Sequence, residues 1–201
     1  DQVSSSRAQG RSYGLELFLQ QQLKGTYWWT MSYNFGYSET RLDASHEWKP
    51  TVWDNRHNIN LVLGKVWGKG WQIGAKYRWA TGTPYTPFDS ELSASTANWD
   101  VLQRGIFDVD QIMGERLPAY SVIDVRLDKT YNKEKYSLTW FLDLQNFTSS
   151  SIPLMPYLTV ERDELTAAPL EDPNSTDSYL VKTIDSDTGR LLPTIGLILE
   201  I

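Results

Sequence analysis

Apolar and polar side chains alternate along several stretches of the chain. Between positions 27 and 38, the odd positions carry tyrosine, tryptophan, methionine or phenylalanine, whereas the even positions are mostly serine, threonine, asparagine and glycine. Because successive side chains of a β-strand point to opposite faces, this alternation predicts a strand with one apolar and one polar face. The same period recurs six more times along the chain. The predicted strands cover residues 14–20, 27–38, 58–64, 71–80, 123–128, 137–145 and 194–201.

The composition of the two faces separates two kinds of sheet protein. A soluble β-sandwich also alternates, but its solvent face usually carries many charged and threonine side chains. Here the polar positions hold mainly glycine, serine, asparagine and glutamine, and the apolar face is rich in tryptophan and tyrosine, of which the chain has 9 and 11. Membrane barrels concentrate these two residues at the bilayer interfaces. The pattern therefore favours an all-β fold in which the strands are a segment of an antiparallel transmembrane β-barrel.

The lengths of the predicted connections alternate as well. The short connections are residues 24–26, 68–70 and 132–135. The long connections are residues 41–56, 81–118 and 148–189. Outer-membrane barrels have short periplasmic turns and long extracellular loops. An odd number of meandering strands would leave open edges in lipid, so we expect further strands from a longer polypeptide or from another chain.

Hydropathy, charge and cysteine content exclude other classes of protein. The mean hydropathy is −0.44, and no apolar run reaches the roughly 18 residues of a membrane helix. A net charge of −6 argues against a nucleic-acid partner. The absence of cysteine excludes disulfides and thiolate metal sites. Residues 1–10 lack the apolar segment of a signal peptide, so we expect that leader to have been removed or the chain to begin inside a longer one.

An ordered set of short motifs resembles the C-terminal barrel region of TonB-dependent outer-membrane transporters. The motifs lie at residues 10–17, 53–61, 81–87, 116–120, 124–129, 142–146 and 192–197. The resemblance extends from about residue 10 to residue 201 and implies that residues 1–201 are the C-terminal portion of a barrel of roughly 22 strands. It also implies a location in the bacterial outer membrane and a receptor role in the uptake of a scarce nutrient, such as a chelate, a glycan or a peptide.

The same resemblance implies the partners of the chain. These are outer-membrane lipid and lipopolysaccharide, the remainder of the barrel, its plug domain, and a TonB-type energising protein that contacts an N-terminal region outside these residues. A surface lipoprotein lid is a further candidate partner. Two alternatives stay open: a passive porin or structural barrel of an outer-membrane complex, and a soluble β-sandwich that binds carbohydrate.

Charged residues on the polar face form the first set of candidate site residues. Charges on a lipid-facing surface are costly, so we expect these residues to face the lumen and pair there or hold a plug domain. Direct contact with substrate is the alternative. The set is Glu16, Lys76, Arg78, Asp124, Arg126, Asp128 and Asp143.

The long connections supply the second set, because ligand contacts on a rigid scaffold come mostly from its loops. Aromatic side chains beside carboxylates suit sugars, peptides or chelates, although each residue could equally be an ordinary solvated loop residue. This set is Trp99, Asp100, Arg104, Phe107, Tyr157 and Tyr179. His57 is expected to join Asp54 and Arg56 in a hydrogen-bonded cluster at a strand end. No phosphate loop, nucleophile motif or zinc spacing is present, so we predict no enzymatic activity, cofactor or metal.

Overall fold

Antiparallel strands make up most of the computed structural model, which describes residues 7–201. Residues 1–6 of the predicted barrel segment lie outside the described residues. In chain order the elements are β1 (Gln9–Lys24), β2 (Tyr27–Arg41), β3 (Lys49–Pro50), β4 (His57–Trp67), β5 (Trp71–Ala80), β6 (Pro84–Tyr85), β7 (Phe88–Asp89), α1 (Ser90–Ala94), α2 (Thr96–Leu102), β8 (Ile106–Phe107), β9 (Glu115–Arg116), β10 (Tyr120–Asn132), β11 (Ser137–Gln145), β12 (Ile152–Val160), β13 (Val181–Thr188) and β14 (Leu192–Glu200).

Seven long strands pair in one sheet in the order β1-β2-β4-β5-β10-β11-β14, with β3 beside the end of β2. Each long strand is antiparallel to the next long strand of the chain. The predicted all-β, antiparallel meander is therefore confirmed, and each of the predicted strands is present. Several strands are longer than predicted, because backbone pairing continues where the side-chain alternation fades, as at Gln9 opposite Arg41.

The pairing register keeps the apolar positions of all seven strands on one face of the sheet. One row across it reads Leu19, Met31, Leu61, Tyr77 and Ile123, each residue opposite the next on the neighbouring strand. A slip of one residue between any two strands would turn one set of apolar side chains to the opposite face. The alternation in the sequence and the observed register therefore specify the same two faces.

The apolar face of the sheet is left uncovered by the described part of the chain. Leu15 is 64% exposed, Ile195 78% and Leu197 72%. The long strands contact mainly their neighbours within the sheet. The hydrophobic core cluster lies instead in the long connections, where Trp99, Leu158 and Val160 are buried. The sheet is thus a single layer without an apolar core of its own.

Two of the aromatic residues on the polar face each cover a glycine of the adjacent strand. Trp28 stands opposite Gly64, and Phe141 stands opposite Gly196. A methyl group added at either glycine would overlap the aromatic ring. The rings fill the space that these two glycines leave, which explains the aromatic side chains at positions 28 and 141 of the polar face.

The connections alternate in length as predicted. Tight turns join β1 to β2, β4 to β5 and β10 to β11, and glycine takes left-handed backbone conformations in the first two, with φ of 67° at Gly25 and 81° at Gly70. The long connections lie at the opposite end of the sheet. The second contains both short helices and the short strands β6 to β9, and the third contains a hairpin of β12 and β13, which are nine and eight residues long. The sequence pattern predicted none of these elements. Neither helix within residues 7–201 has the length and apolar character needed to cross a membrane.

Gly64 and Gly74 provide a matched test of the aromatic covering, because they face each other across β4 and β5. Alanine at position 64 would displace the Trp28 ring, whereas alanine at position 74 would meet only the Leu63 carbonyl oxygen, at 3.9 Å. We expect Gly64→Ala to destabilise the protein by about 1–3 kcal/mol and Gly74→Ala to have little effect. Thermal unfolding of the purified protein measures both. Equal effects of the two substitutions would show that packing of the Trp28 ring does not require glycine at position 64.

Candidate functional site

A buried carboxylate lies where the first long connection returns to the sheet. The Asp54 side chain is 0% exposed. Its Oδ1 accepts hydrogen bonds from Arg56 Nε and from Arg116 Nη2, both at 2.6 Å. Its Oδ2 accepts a hydrogen bond from the Ser38 backbone N–H at 3.1 Å. Both carboxylate oxygens are therefore satisfied, and two guanidinium groups balance the buried charge.

The two arginines connect this carboxylate to the rest of the loop base. Arg116 also donates to the carbonyl oxygens of Asp54 and Gly82, at 2.6 and 2.8 Å. The Arg56 guanidinium lies 3.9 Å from the centre of the Tyr37 ring on β2. The cluster therefore ties the first and second long connections to the same strand end. A rigid base of this kind is what holds loops in position over a sheet.

Burial and hydrogen bonding act in opposite directions on the acidity of Asp54. Burial alone would raise the pKa of its carboxyl group, but the hydrogen bonds from Arg56, Arg116 and the Ser38 N–H together hold that pKa below its ordinary value. Burial likewise opposes the charged form of Arg56, yet its contact with Asp54 raises the pKa of the guanidinium. The pair is charged at neutral pH.

The predicted cluster of Asp54, Arg56 and His57 forms only in part. Asp54 and Arg56 pair, but the His57 ring turns away, with its Nδ1 2.9 Å from the Tyr33 hydroxyl. Arg116 takes the third place, and sequence reasoning missed it, since it lies in a different connection of the chain. The only sequence signal for Arg116 was its position in residues 116–120, one of the motifs that resemble the transporter family. That resemblance does not indicate that Arg116 pairs with Asp54.

A mostly apolar cavity of about 620 Å³ lies among the long connections. All three long connections contribute to it: Val52 from the first, Phe107 and Met113 from the second, and Leu154 from the third. This volume is within the range of small-molecule sites, which are usually apolar with few polar groups. The cavity was not predicted, because no local pattern indicates which loops will meet.

The polar groups of this cavity are few, and the Tyr85 and Thr86 hydroxyl groups form hydrogen bonds within the protein. The Tyr85 hydroxyl donates a hydrogen bond to Glu115 Oε2 at 2.5 Å. That bond, assisted by desolvation, raises the pKa of Tyr85 to about 12. The Thr86 hydroxyl accepts a hydrogen bond from the Met113 N–H at 3.0 Å. The cavity therefore offers mainly apolar surface to anything that enters it.

The loop residues predicted as ligand contacts do not converge on one site. Phe107 lines the apolar cavity and stacks on Phe88, with ring centres 4.9 Å apart. The Tyr179 hydroxyl donates a hydrogen bond to Asp100 at 3.1 Å, which raises the pKa of Tyr179. Arg104 and Tyr157 are exposed but do not line that cavity.

Trp99 requires a correction among these predicted ligand contacts. Its side chain is 2% exposed and packs against Leu158 and Val160 in the hydrophobic cluster of the long connections. Burial of the ring stabilises the packing of α2 on β12 and leaves no ring surface for a ligand. An aromatic residue in a loop can be a core residue whenever the loops pack on one another, and the sequence does not distinguish the two cases.

Most of the charged residues predicted on the polar face come together in a second cavity, of about 560 Å³. Arg78 pairs with Asp124 at 3.6 Å, and Arg126 pairs with Asp128 at 2.9 Å. Lys76 stands opposite Asp124 in the register. Six of the seven predicted charged residues line this cavity: Lys76, Arg78, Asp124, Arg126, Asp128 and Asp143.

The seventh predicted residue, Glu16, is separate from this charged cavity. It lies on β1 opposite Asn34, at the far edge of the sheet. Asp143 stands opposite Arg126 in the register, but within residues 7–201 neither Asp143 nor Lys76 forms an ion pair. Within the described chain, this cavity therefore holds two ion pairs, with Lys76 and Asp143 unpaired beside them. Within the same residues, no cluster of three metal-ligating side chains is found.

Comparison of the chain with protein-family models, with curated proteins and with solved structures finds no match.

Asp54 and Asp43 lie in the same long connection and allow a matched test of the buried cluster. Asp54→Asn removes the charge that balances Arg56 and Arg116, and we expect a loss of about 3 kcal/mol in local stability. Asp43 is half-buried, and its side chain accepts hydrogen bonds only from its near neighbours Ser45 and His46, so Asp43→Asn should leave the Ser38 amide as protected as in the parent protein. Hydrogen exchange of the Ser38 amide and of residues 42–56 measures the difference.

The lowered pKa of Asp54 also predicts how this region responds to acid. A carboxylate whose pKa is lowered by folding contributes stability above its ordinary pKa of 3.8, and loses that contribution as the pH falls through the lowered value. The protection of the Ser38 amide against hydrogen exchange should therefore be constant near neutral pH and decrease only below about pH 4. Loss of protection at pH 5–6 would contradict a role for Asp54.

Proposed function

We propose that the chain is part of an outer-membrane active transporter of the TonB-dependent type, which imports a scarce nutrient such as a chelate, a glycan or a peptide. In this proposal the seven long strands are the C-terminal portion of a transmembrane β-barrel. One observation carries the proposal: the apolar face continues across all seven strands and is left exposed, as at Leu15, Ile195 and Leu197.

The size of this face argues for a lipid environment. With strands about 4.8 Å apart and a rise of about 3.3 Å per residue, seven strands of nine or more residues present an area of roughly 800 Å². Soluble monomers rarely expose contiguous apolar patches larger than about 300–600 Å². Bilayer lipid would cover such a face without a second protein layer, and tilted strands of roughly 9–11 residues are long enough to cross it.

The open edges of the sheet argue for further strands. Within the described residues, β1 pairs only with β2 and β14 pairs only with β11. Unpaired backbone N–H and C=O groups at these edges would be costly in lipid. Strands from the rest of the barrel, on the same polypeptide or on another chain, would satisfy them. A plug domain and a TonB-type energising protein are the further partners that this assignment implies.

The two ends and two faces of the sheet then take distinct roles. The polar face would line the lumen, where the charged cavity around Arg78, Asp124 and Arg126 would contact a plug domain or a passing substrate. The long connections, held by the Asp54 cluster, would be extracellular and could contact a ligand or a lipoprotein lid. The tight turns would be periplasmic. Outer membrane lipid and lipopolysaccharide would cover the apolar face.

The mass of the membrane polypeptide that carries these residues tests the proposal directly. We expect the denatured polypeptide to have several times the 23.1 kDa of this chain and its N-terminal part to form a globular plug. A polypeptide of that size with only additional strands would indicate a porin or a structural barrel. Partition of the intact protein into the aqueous phase without detergent would exclude both membrane functions and leave a soluble sheet.

Leu61 and Asn60 test which face meets lipid, because they are adjacent on β4 and point to opposite faces. Leu61→Arg places a charge on the apolar face, and near the bilayer centre we expect a cost of about 2–4 kcal/mol. Asn60→Arg places the same charge on the polar face, where Asn60 contacts Ser32 and Asn58, and should be tolerated. The amount of folded protein in outer membranes, read from heat-modifiable gel mobility, compares them. Equal loss in both variants would contradict the assignment of the faces.

A further inference from the structure

A third cavity, of about 430 Å³, lies at the tight-turn end of the sheet. It forms where neighbouring hairpins differ in length. The pairing of β10 with β5 ends at Lys129 opposite Trp71, whereas its pairing with β11 continues to Asn132. The Thr130 N–H donates to the Gly70 carbonyl at 2.8 Å, which fixes the shorter turn against β10. A side chain at Gly70 would overlap the Thr130 carbonyl, so glycine permits this close approach.

Three lysines line this cavity, Lys69, Lys129 and Lys133, and no acidic residue does. Lys129 is unusual among them because it is only 8% exposed. Its ammonium donates a hydrogen bond to the Lys69 carbonyl oxygen. It also lies 5.2 Å from the centre of the Trp71 ring and 4.9 Å from that of Tyr131.

The buried ammonium of Lys129 has no counter-ion within the part of the chain that the structure describes, where no carboxylate approaches it within ion-pair distance. Two aromatic rings and one carbonyl compensate only part of the cost of removing the charge from water. A buried charge is normally paired. An anion bound in the cavity would supply the missing partner.

The surrounding surface is also cationic, although the whole chain has a net charge of −6. Most of the lysines of the chain lie near the tight turns: Lys24, Lys65, Lys69, Lys129, Lys133 and Lys135. The turns contain one acidic residue, Glu134. Glu200, at the end of β14, accepts a hydrogen bond from Ser137 at 2.7 Å, on the polar face. The local field at this end of the sheet therefore attracts anions.

A row of aromatic side chains places this cavity at the boundary of the apolar face. Trp67, Trp71, Lys129 and Trp140 are successive partners across four strands. Trp67 stacks on Trp71 with centres 6.2 Å apart, and Trp140 meets Trp71 edge-on at 5.6 Å. A row of tryptophans with a lysine among them, and Tyr131 beside that lysine, is typical of a membrane interface, where lipid headgroups lie.

From these observations we propose that the cavity formed by Lys69, Lys129 and Lys133 binds the phosphate of an anionic glycerophospholipid headgroup, whose acyl chains lie along the apolar face. This inference rests on the proposed membrane function. The three ammonium groups provide the positive charge, and the neighbouring tryptophans contact the glycerol and upper acyl region. Lysine binds phosphate as a compact point charge, so no planar fork of donors is needed.

Native mass spectrometry of the complete protein, released from detergent with equal amounts of phosphatidylglycerol and phosphatidylcholine, tests the inference. We expect preferential retention of phosphatidylglycerol. The double variant Lys69→Gln/Lys133→Gln should reduce that retention by roughly tenfold or more, since each lysine near an anionic headgroup contributes about a factor of five. Lys135→Gln is the matched control, because Lys135 lies in the same turn but does not line the cavity.

Lys129→Met provides a second variant that removes the buried charge while keeping an unbranched apolar side chain. It should lose the preference for phosphatidylglycerol, and the double variant decides the matter if Lys129→Met does not fold. Competition with inorganic phosphate separates two sources of the same chemistry. Displacement of the lipid by millimolar phosphate would show a site for free phosphate and overturn the lipid assignment.

The remaining outcomes distinguish this inference from the function on which it depends. Equal retention of both lipids, or equal losses in Lys135→Gln and in the double variant, would overturn the headgroup site while leaving the membrane assignment intact. Failure to retain either lipid, together with partition into the aqueous phase, would instead overturn the proposed function itself.

Discussion

The pairing register of the seven long strands is the constraint on which the rest of the structure depends. It places every apolar stretch on one face, so that Leu19, Met31 and Leu61 continue a single row. A sheet of this kind has no core beneath it, and its stability must come from backbone pairing, from cross-strand side-chain contacts and from whatever covers the apolar face. A shift of one residue would exchange the two faces of a strand. The register therefore also keeps the charged side chains on one face of the sheet and the apolar side chains on the other.

The ends of the sheet differ as clearly as its faces. At one end, the Asp54 carboxylate and two arginines fix the base of the long connections, which then pack on one another around Trp99 and enclose an apolar cavity. At the other end, tight turns gather the lysines beside a row of tryptophans. Arginine stabilises the loop base through directed pairs with a carboxylate, whereas lysine at the turns leaves positive charge available to a mobile anion.

Sequence reasoning was most successful where a local pattern decides the outcome. The alternation at residues 27–38 and the short connections between the strands predict strands and hairpins, because both depend on residues close together in the chain. It was less successful for the site. Trp99 has the composition of a ligand contact yet is buried, and Arg116 pairs with Asp54 across 62 positions of sequence. The charged residues of the polar face were brought together as their face predicted, except Glu16, which the strand order places at the far edge.

The sequence by itself determined the all-β class, the order of the seven strands of the main sheet, and which of their side chains share a face. These follow from a period of two and from short connections, which act within a strand or a hairpin. Only the tertiary structure decided the partners of Asp54, the burial of Trp99 and the isolation of the Lys129 ammonium among aromatic rings. Each depends on the alignment of separate strands or on the packing of one loop against another, and neither is encoded in any local stretch of the chain.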